Sequence, residues 1–258
     1  MSVDNPQNND LILSQWCSRA QDFCGVLAFI ISVIQSLTLF MSAKIFIVLT
    51  GFILVVEYGC SYFKCSFFNK GHRLREIGLI DNSFNEKRIP NYDGNQYYNN
   101  STISKEEIKL LANMHENALF TFRIAEKMSI PYYVIFVVSF CFFIVMIFMR
   151  GMDDYSSLLL SFIVSSSFFD RVIKLNSLKA SSEDVYEKAN EICSSYEKTP
   201  TKTNLIVPKI LELLLLYENA VFESKIILCE RIFKKLNPSL SREWQSIRDA
   251  YLIYKAKE

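Results

Sequence analysis

Charge is absent from two stretches of this chain that are each long enough to cross a bilayer, and this constrains the fold more than any other feature. Phe23 to Ala43 and Met128 to Met149 contain no Asp, Glu, Lys or Arg. Ile45 to Phe63 carries a single acid, Glu57, and Tyr155 to Phe169 is shorter and rich in serine. A helix needs about 20 apolar residues to cross the hydrocarbon core. The four runs therefore predict four membrane-spanning helices, the fourth resting on the shortest run. Half of the 258 residues are hydrophobic and 21% are charged. Those figures coexist because the charges are segregated outside the runs.

The connections within each pair of runs are short, one around Ser42 to Lys44 and one from Arg150 to Asp154. Connections of that length force antiparallel neighbours. The predicted fold is an all-α integral membrane protein with two transmembrane helical hairpins and a cytoplasmic helical region. Its segments are an N-terminal helix over 1–22, hairpins over 23–63 and 128–169, an insert over 64–127 and a tail over 170–258. Basic residues set the orientation. The insert carries Lys64, Lys70, Arg73, Arg75, Lys87, Arg88, Lys105, Lys109, Arg123 and Lys127, and the tail opens with Arg171, Lys174 and Lys179. Insert and tail are expected in the cytoplasm, and with four spans so is the N-terminus. No cleavable leader is expected, because the first apolar run is too long for one.

Outside the runs the chain reads as helices with one irregular stretch. Asp10 caps a short helix expected to end near Phe23. The segment DNSFNEKRIPNYDGNQYYNN is dominated by turn formers and reads as irregular, packed through Tyr92, Tyr97 and Tyr98. Ser104 and Glu107 form a capping box. Behind it, Ile108, Leu111, His115, Ala118, Phe122 and Ala125 make one stripe leading into the third span, with a kink expected at Pro131. Pro200 and Pro208 bracket a linker. A strong helix is expected from Lys209 to Leu236, ended by Asn237-Pro238, and a final helix carries Trp244, Ile247, Tyr251 and Tyr254.

Residues Glu116 to Ile124 (ENALFTFRI) and Glu218 to Ile226 (ENAVFESKI) share five identical positions at an offset of 102. The paired runs repeat at nearly that distance. The agreement reads either as internal duplication or as the likeness of short amphipathic helices.

Several residues invite a functional reading. Glu57 lies about 10 Å from the inner boundary. It is either a pore or vestibule acid or a carboxylate that snorkels or pairs with a base such as Lys64; its modest depth favours the second. Ser157, Ser161 and Ser165 recur every four residues, either lining a water path or permitting close helix packing. Ser32, Gln35 and Ser36 form a similar patch. Arg73, Arg75, Lys87 and Arg88 flank the turn-rich loop as an anionic-ligand site or, more simply, as positive-inside residues near headgroups. His115 reads as a satisfied buried histidine.

Seven scattered cysteines and two histidines give no C-x-x-C and no His-based metal centre; no metal and no cofactor is expected. Seven glycines form no phosphate-cradling loop, and no nucleophile–base set is legible, so an enzyme is not expected. A transporter is disfavoured, because no span is broken by Gly or Pro at mid-depth. Four helices of one subunit leave no wide bore, so a conducting path implies a homo-oligomer, with a tetramer as the expected closed form. The apolar Leu211 to Leu216 and the Trp244/Tyr251 stripe would supply its contacts.

DNSFN (Asp81 to Asn85), YYNN (Tyr97 to Asn100), HENALFTFRIAEKM (His115 to Met128) and LNPSLSREWQSIRDAY (Leu236 to Tyr251) carry a resemblance. The chain resembles a group of bacterial four-span proteins similar in layout to the pore-forming effectors of anti-phage defence. The resemblance implies an oligomeric ion channel in the bacterial inner membrane that depolarises it on infection. It further implies a nucleotide or nucleic-acid signal from a nucleotidyltransferase or reverse-transcriptase partner. The competing expectation is a membrane-anchored scaffold or regulator that recruits a soluble partner.

Overall fold

The structure, a computed structural model, describes residues 8–38, 42–88, 100, 102–103, 105–151, 167–198 and 203–255. Six helices follow in order: α1 (Asn8–Thr38), α2 (Ala43–Phe84), α3 (Glu106–Arg150), α4 (Ser167–Lys198), α5 (Thr203–Ser224) and α6 (Glu230–Ala250). A 3-10 turn, Leu252–Tyr254, closes the described chain. No strand occurs among the described residues. Among the described residues three helices, α1, α2 and α3, are long and apolar enough to cross a membrane. Most of the fourth run, the three serines Ser157, Ser161 and Ser165, the loop tyrosines Tyr92, Tyr97 and Tyr98, the cap Ser104 and Pro200 lie outside the described residues.

Helix ends follow local chemistry. α3 stops at Gly151, whose φ of +78° is a left-handed conformation open to glycine; its N–H donates to Ile147 O at 2.8 Å. α2 ends at Asn85, φ +51°, with Glu86 N–H donating to Asp81 O at 3.0 Å in a Schellman pattern. α2 thus runs through the first residues of the stretch read as irregular.

α5 ends the same way at Lys225, φ +50°, whose N–H donates to Val221 O at 3.2 Å. That left-handed residue splits the single helix expected from Lys209 to Leu236. Pro238, expected to end it, instead lies inside α6. Pro208, expected in a linker, lies inside α5, and Pro131 lies inside a continuous α3. α1 likewise runs past Phe23 as one helix.

The chain divides into two compact units. The first comprises Met1–Asp10, Asn69–Met128 and Leu175–Glu258. Its centre is the early part of α3. Ile108, Leu111, His115, Ala118, Phe122 and Ala125 are buried, and so are Leu110, Ala112, Met114, Leu119 and Ile124 between them. A helix apolar on all sides is one surrounded by protein. Ile206, Ile210, Leu213 and Tyr217 of α5, spaced by three and four, pack into the same core with Val185, Ala189 and Cys193 of α4 and Trp244 of α6. Several polar residues of this unit are paired with one another. Asn113 donates to Asn82 Oδ1 (3.0 Å) and Ser83 Oγ (3.1 Å), and Asn100 donates to Asn113 Oδ1 (2.9 Å) and Glu116 (2.8 Å). Thr121 of α3 and Tyr217 of α5 share a hydrogen bond at 2.7 Å.

The second unit comprises Leu11–Phe68 and Ser129–Lys174. It is apolar on the outside. Val48, Phe52, Val55 and Tyr58 on α2 are each about two-thirds exposed or more, as are Phe148 and Met149 on α3. Contiguous apolar surface on this scale marks a membrane-facing or partner-facing side. α1 and α2 run antiparallel where Ser14 Oγ donates to Lys64 O at 2.9 Å. An edge-to-face pair, Phe29 with Phe142, joins α1 to α3.

Candidate functional site

The inward face of the apolar unit carries polar groups. Along α1 the buried positions include Ala28, Ser32 and Gln35; along α2 they include Phe46, Ile53 and Glu57; along α3 they include Ser139, Phe143 and Met146. Each set recurs at helical spacings, so each helix turns one stripe inward. Four of these nine side chains are polar, while the outward positions are apolar. Glu57 is only 8% exposed. A carboxylate directed away from the outer face does not snorkel along it, and Cys24 of α1 lies nearby. Ser32 Oγ donates to Ala28 O at 2.8 Å and Thr50 Oγ1 to Phe46 O at 2.8 Å, which satisfies those hydroxyls within their own helices. The structure thus places Ser32, Gln35 and Glu57 on buried faces of one unit; the side chain of Ser36 lies outside the description.

A charged cluster closes one end of this unit. Arg171 donates through Nη1 to Asp22 Oδ2 at 2.6 Å and to Tyr132 Oη at 2.8 Å, and through Nη2 to Ser18 Oγ at 2.5 Å. Tyr132 Oη donates to Asp22 Oδ2 at 3.2 Å. The guanidinium also lies 5.3 Å from the Tyr132 ring centroid, a cation–π distance. One arginine therefore ties α1, α3 and α4. Arg171 was read in the sequence only as a positive-inside residue. The signal that could have found the cluster is Asp22: an acid immediately before an uncharged run needs a partner.

The four basic residues offered as an anion site do not act as one cluster. Arg75 pairs with Glu218 of α5 and lies over the Tyr217 ring. Arg88 pairs with Asp81 at 2.7 Å and Glu86 at 3.1 Å, and its backbone N–H also donates to Asp81. Their charges are spent on carboxylates of the same unit. Arg73 and Lys87 are exposed. Beside Arg75, His72 Nε2 lies 3.2 Å from Glu76 Oε1 and 3.8 Å from Glu218 Oε2. The His72–Glu76 spacing is visible in the sequence; Glu218, far along the chain, is not.

His115 is fully buried, as expected for a structural histidine. Its Nδ1 and Tyr254 Oη are 3.0 Å apart, and Trp244, Tyr186 and Tyr251 surround the ring. Burial holds the imidazole down at about 4, with Asn190 beside it working the other way. Cys193 donates to Tyr254 Oη at 3.3 Å, and burial pushes its thiol up to about 12. Trp244 belongs to this aromatic cage and is not available as an outward contact.

No protein-family model matches the chain, and comparison with the curated proteins and with the solved structures finds no match.

Proposed function

We propose that the protein is a channel-type membrane effector: four spans in two hairpins, both termini cytoplasmic, assembled as a homo-oligomer, tetrameric in the simplest closed form, in a bacterial inner membrane. The observation that carries this reading is the reversal of polarity in the apolar unit, with Glu57, Gln35, Ser32 and Ser139 turned inward beneath an apolar exterior. An anchor needs only apolar spans. Buried carboxylate and amide groups at membrane depth are costly and mark ion or water paths. In the oligomer, Ser157, Ser161 and Ser165 extend the polar lining, and Leu211 and Leu215, which face outward on α5, supply contacts between copies. Opening dissipates the membrane potential. Its signal is a nucleotide or nucleic acid made by a partner enzyme of the nucleotidyltransferase or reverse-transcriptase kind, met by the exposed Arg73 and Lys87.

The test is a membrane-potential dye readout on overexpression, paired with currents from purified protein in planar bilayers with and without nucleotides. Replacing the three serines by leucine, or Glu57 by Gln, is expected to lower conductance by about tenfold while assembly by mass is unchanged. A held potential together with silent bilayers under every nucleotide overturns the channel. The outward Leu211/Leu215 face then favours the second reading, a membrane-anchored scaffold or regulator that docks a soluble partner on α5.

A further inference from the structure

The cluster where α2 meets α5 holds the ligand set of a cation site. His72, Glu76 and Glu218 each offer one donor atom, and the three atoms lie within 4.8 Å of one another. The separation from His72 Nε2 to Glu76 Oε1, 3.2 Å, is close to the edge of a tetrahedron built on metal–ligand bonds of about 2.0–2.1 Å, which is about 3.4 Å. His72 and Glu76 are four residues apart on one helix, so they face the same way one turn apart. His72 is 3% exposed, and Glu218 comes from a different helix to close the set.

A second observation points to a ligand. Glu218 is more than nine-tenths buried, and its Oε1 forms no hydrogen bond among the described residues. Its other oxygen, Oε2, is held by Arg75. A buried carboxylate with one oxygen fixed and the other unused is costly unless something positive approaches it. The local charge agrees: two carboxylates against one guanidinium leave a negative remainder that a divalent ion compensates. Arg75 then fits the part of an outer-shell group, orienting a ligating carboxylate from behind. The expectation from sequence, that two histidines are too few for a His-based centre, does not bear on a mixed set of one imidazole and two carboxylates. Such a set suits a borderline transition ion rather than calcium or magnesium, which take oxygen ligands.

We propose that His72, Glu76 and Glu218 bind one divalent transition-metal ion of the zinc type, with a fourth position left to water, and that the ion joins α2 to α5. This inference stands apart from the channel reading and survives its failure.

The experiment uses the full chain in detergent, stripped with a chelator and dialysed, with zinc chloride as the probe. Calorimetry and metal analysis are expected to give about one ion per chain at this site, with a raised thermal midpoint. Replacing His72 by Gln or Glu76 by Gln is expected to weaken binding at least about tenfold. Glu76 is 40% exposed, so Glu76→Gln tests the site without emptying the core, and helicity by circular dichroism checks each variant. Cobalt(II) substitution separates this site from the seven thiols: its spectrum is expected to lack a thiolate charge-transfer band. A folded wild-type chain that takes up no zinc overturns the proposal. So does zinc binding unchanged in both variants, or a cobalt spectrum dominated by thiolate.

Discussion

His115 shows how one buried side chain ties stability to pH. The ring sits on the part of α3 that precedes the apolar run, enclosed by aromatic residues, and burial holds it neutral down to about 4. In the unfolded chain it titrates near its ordinary value of about 6.5. Between those two values the unfolded state binds a proton that the folded state refuses. Stability contributed by the neutral ring is therefore fully present above about pH 6.5 and lost as pH falls toward 4, by up to about 1.4 kcal/mol per pH unit. Denaturant unfolding of wild type and His115→Gln at pH 7.5 and pH 5 checks this. The gap between the two pH values is expected to narrow in the variant. An equal gap would show that the histidine does not titrate differently on folding. The sequence made the burial of this residue legible, because a lone histidine on an apolar helical stripe is most simply a core residue. Its Tyr254 partner, 139 residues away, was not.

At the scale of elements, Arg171 decides how α1, α3 and α4 are held at one end of the apolar unit. Its guanidinium reaches Asp22, Tyr132 and Ser18. Removing it strands the Asp22 carboxylate. Arg171→Gln is expected to destabilise the folded state by roughly 2–4 kcal/mol, below the full cost of a broken buried pair because Asp22 is nearly a quarter exposed. Thermal unfolding in detergent measures it, and a change under about 0.5 kcal/mol would mean that the cluster is ornamental. Helix boundaries were the least legible elements. Lys225 adopts a left-handed conformation that costs a non-glycine residue about 1 kcal/mol, and it breaks a segment whose periodicity runs on. Pro238 stands inside α6 against its propensity. Burial of Leu240 and Trp244 on that helix outweighs the lost backbone hydrogen bond, as tertiary contacts commonly do.

For the whole molecule the proposed topology is directly testable. Single cysteines placed at Lys44 and at Lys87 in a background without native cysteines are expected to differ in labelling by a membrane-impermeant maleimide added to intact cells. Position 44 reacts, position 87 does not, and disruption of the membrane exposes both. Labelling of position 87 in intact cells would invert the orientation and remove the cytoplasmic placement of the first unit. That placement rests on the excess of Lys and Arg between the second and third runs.

Length and polarity of the apolar runs are properties of composition over about 20 consecutive residues, so the sequence by itself determined that this chain is helical and that α1, α2 and α3 are long and apolar enough to cross a membrane. The central stripe of α3 was legible for the same reason: burial follows a short period along one helix. The pairings between distant segments were set by the fold. Arg75 and Arg88, read as part of an anion site or as positive-inside residues near headgroups, are paired by the fold with Glu218 and Asp81. Arg171 looked like a topology marker until Asp22 and Tyr132 met it. Glu57, read as an acid that snorkels or pairs with a base, lies on a buried face of α2. A charge acquires its role from the partner that shares its desolvation, and sequence spacing does not encode partners on other helices.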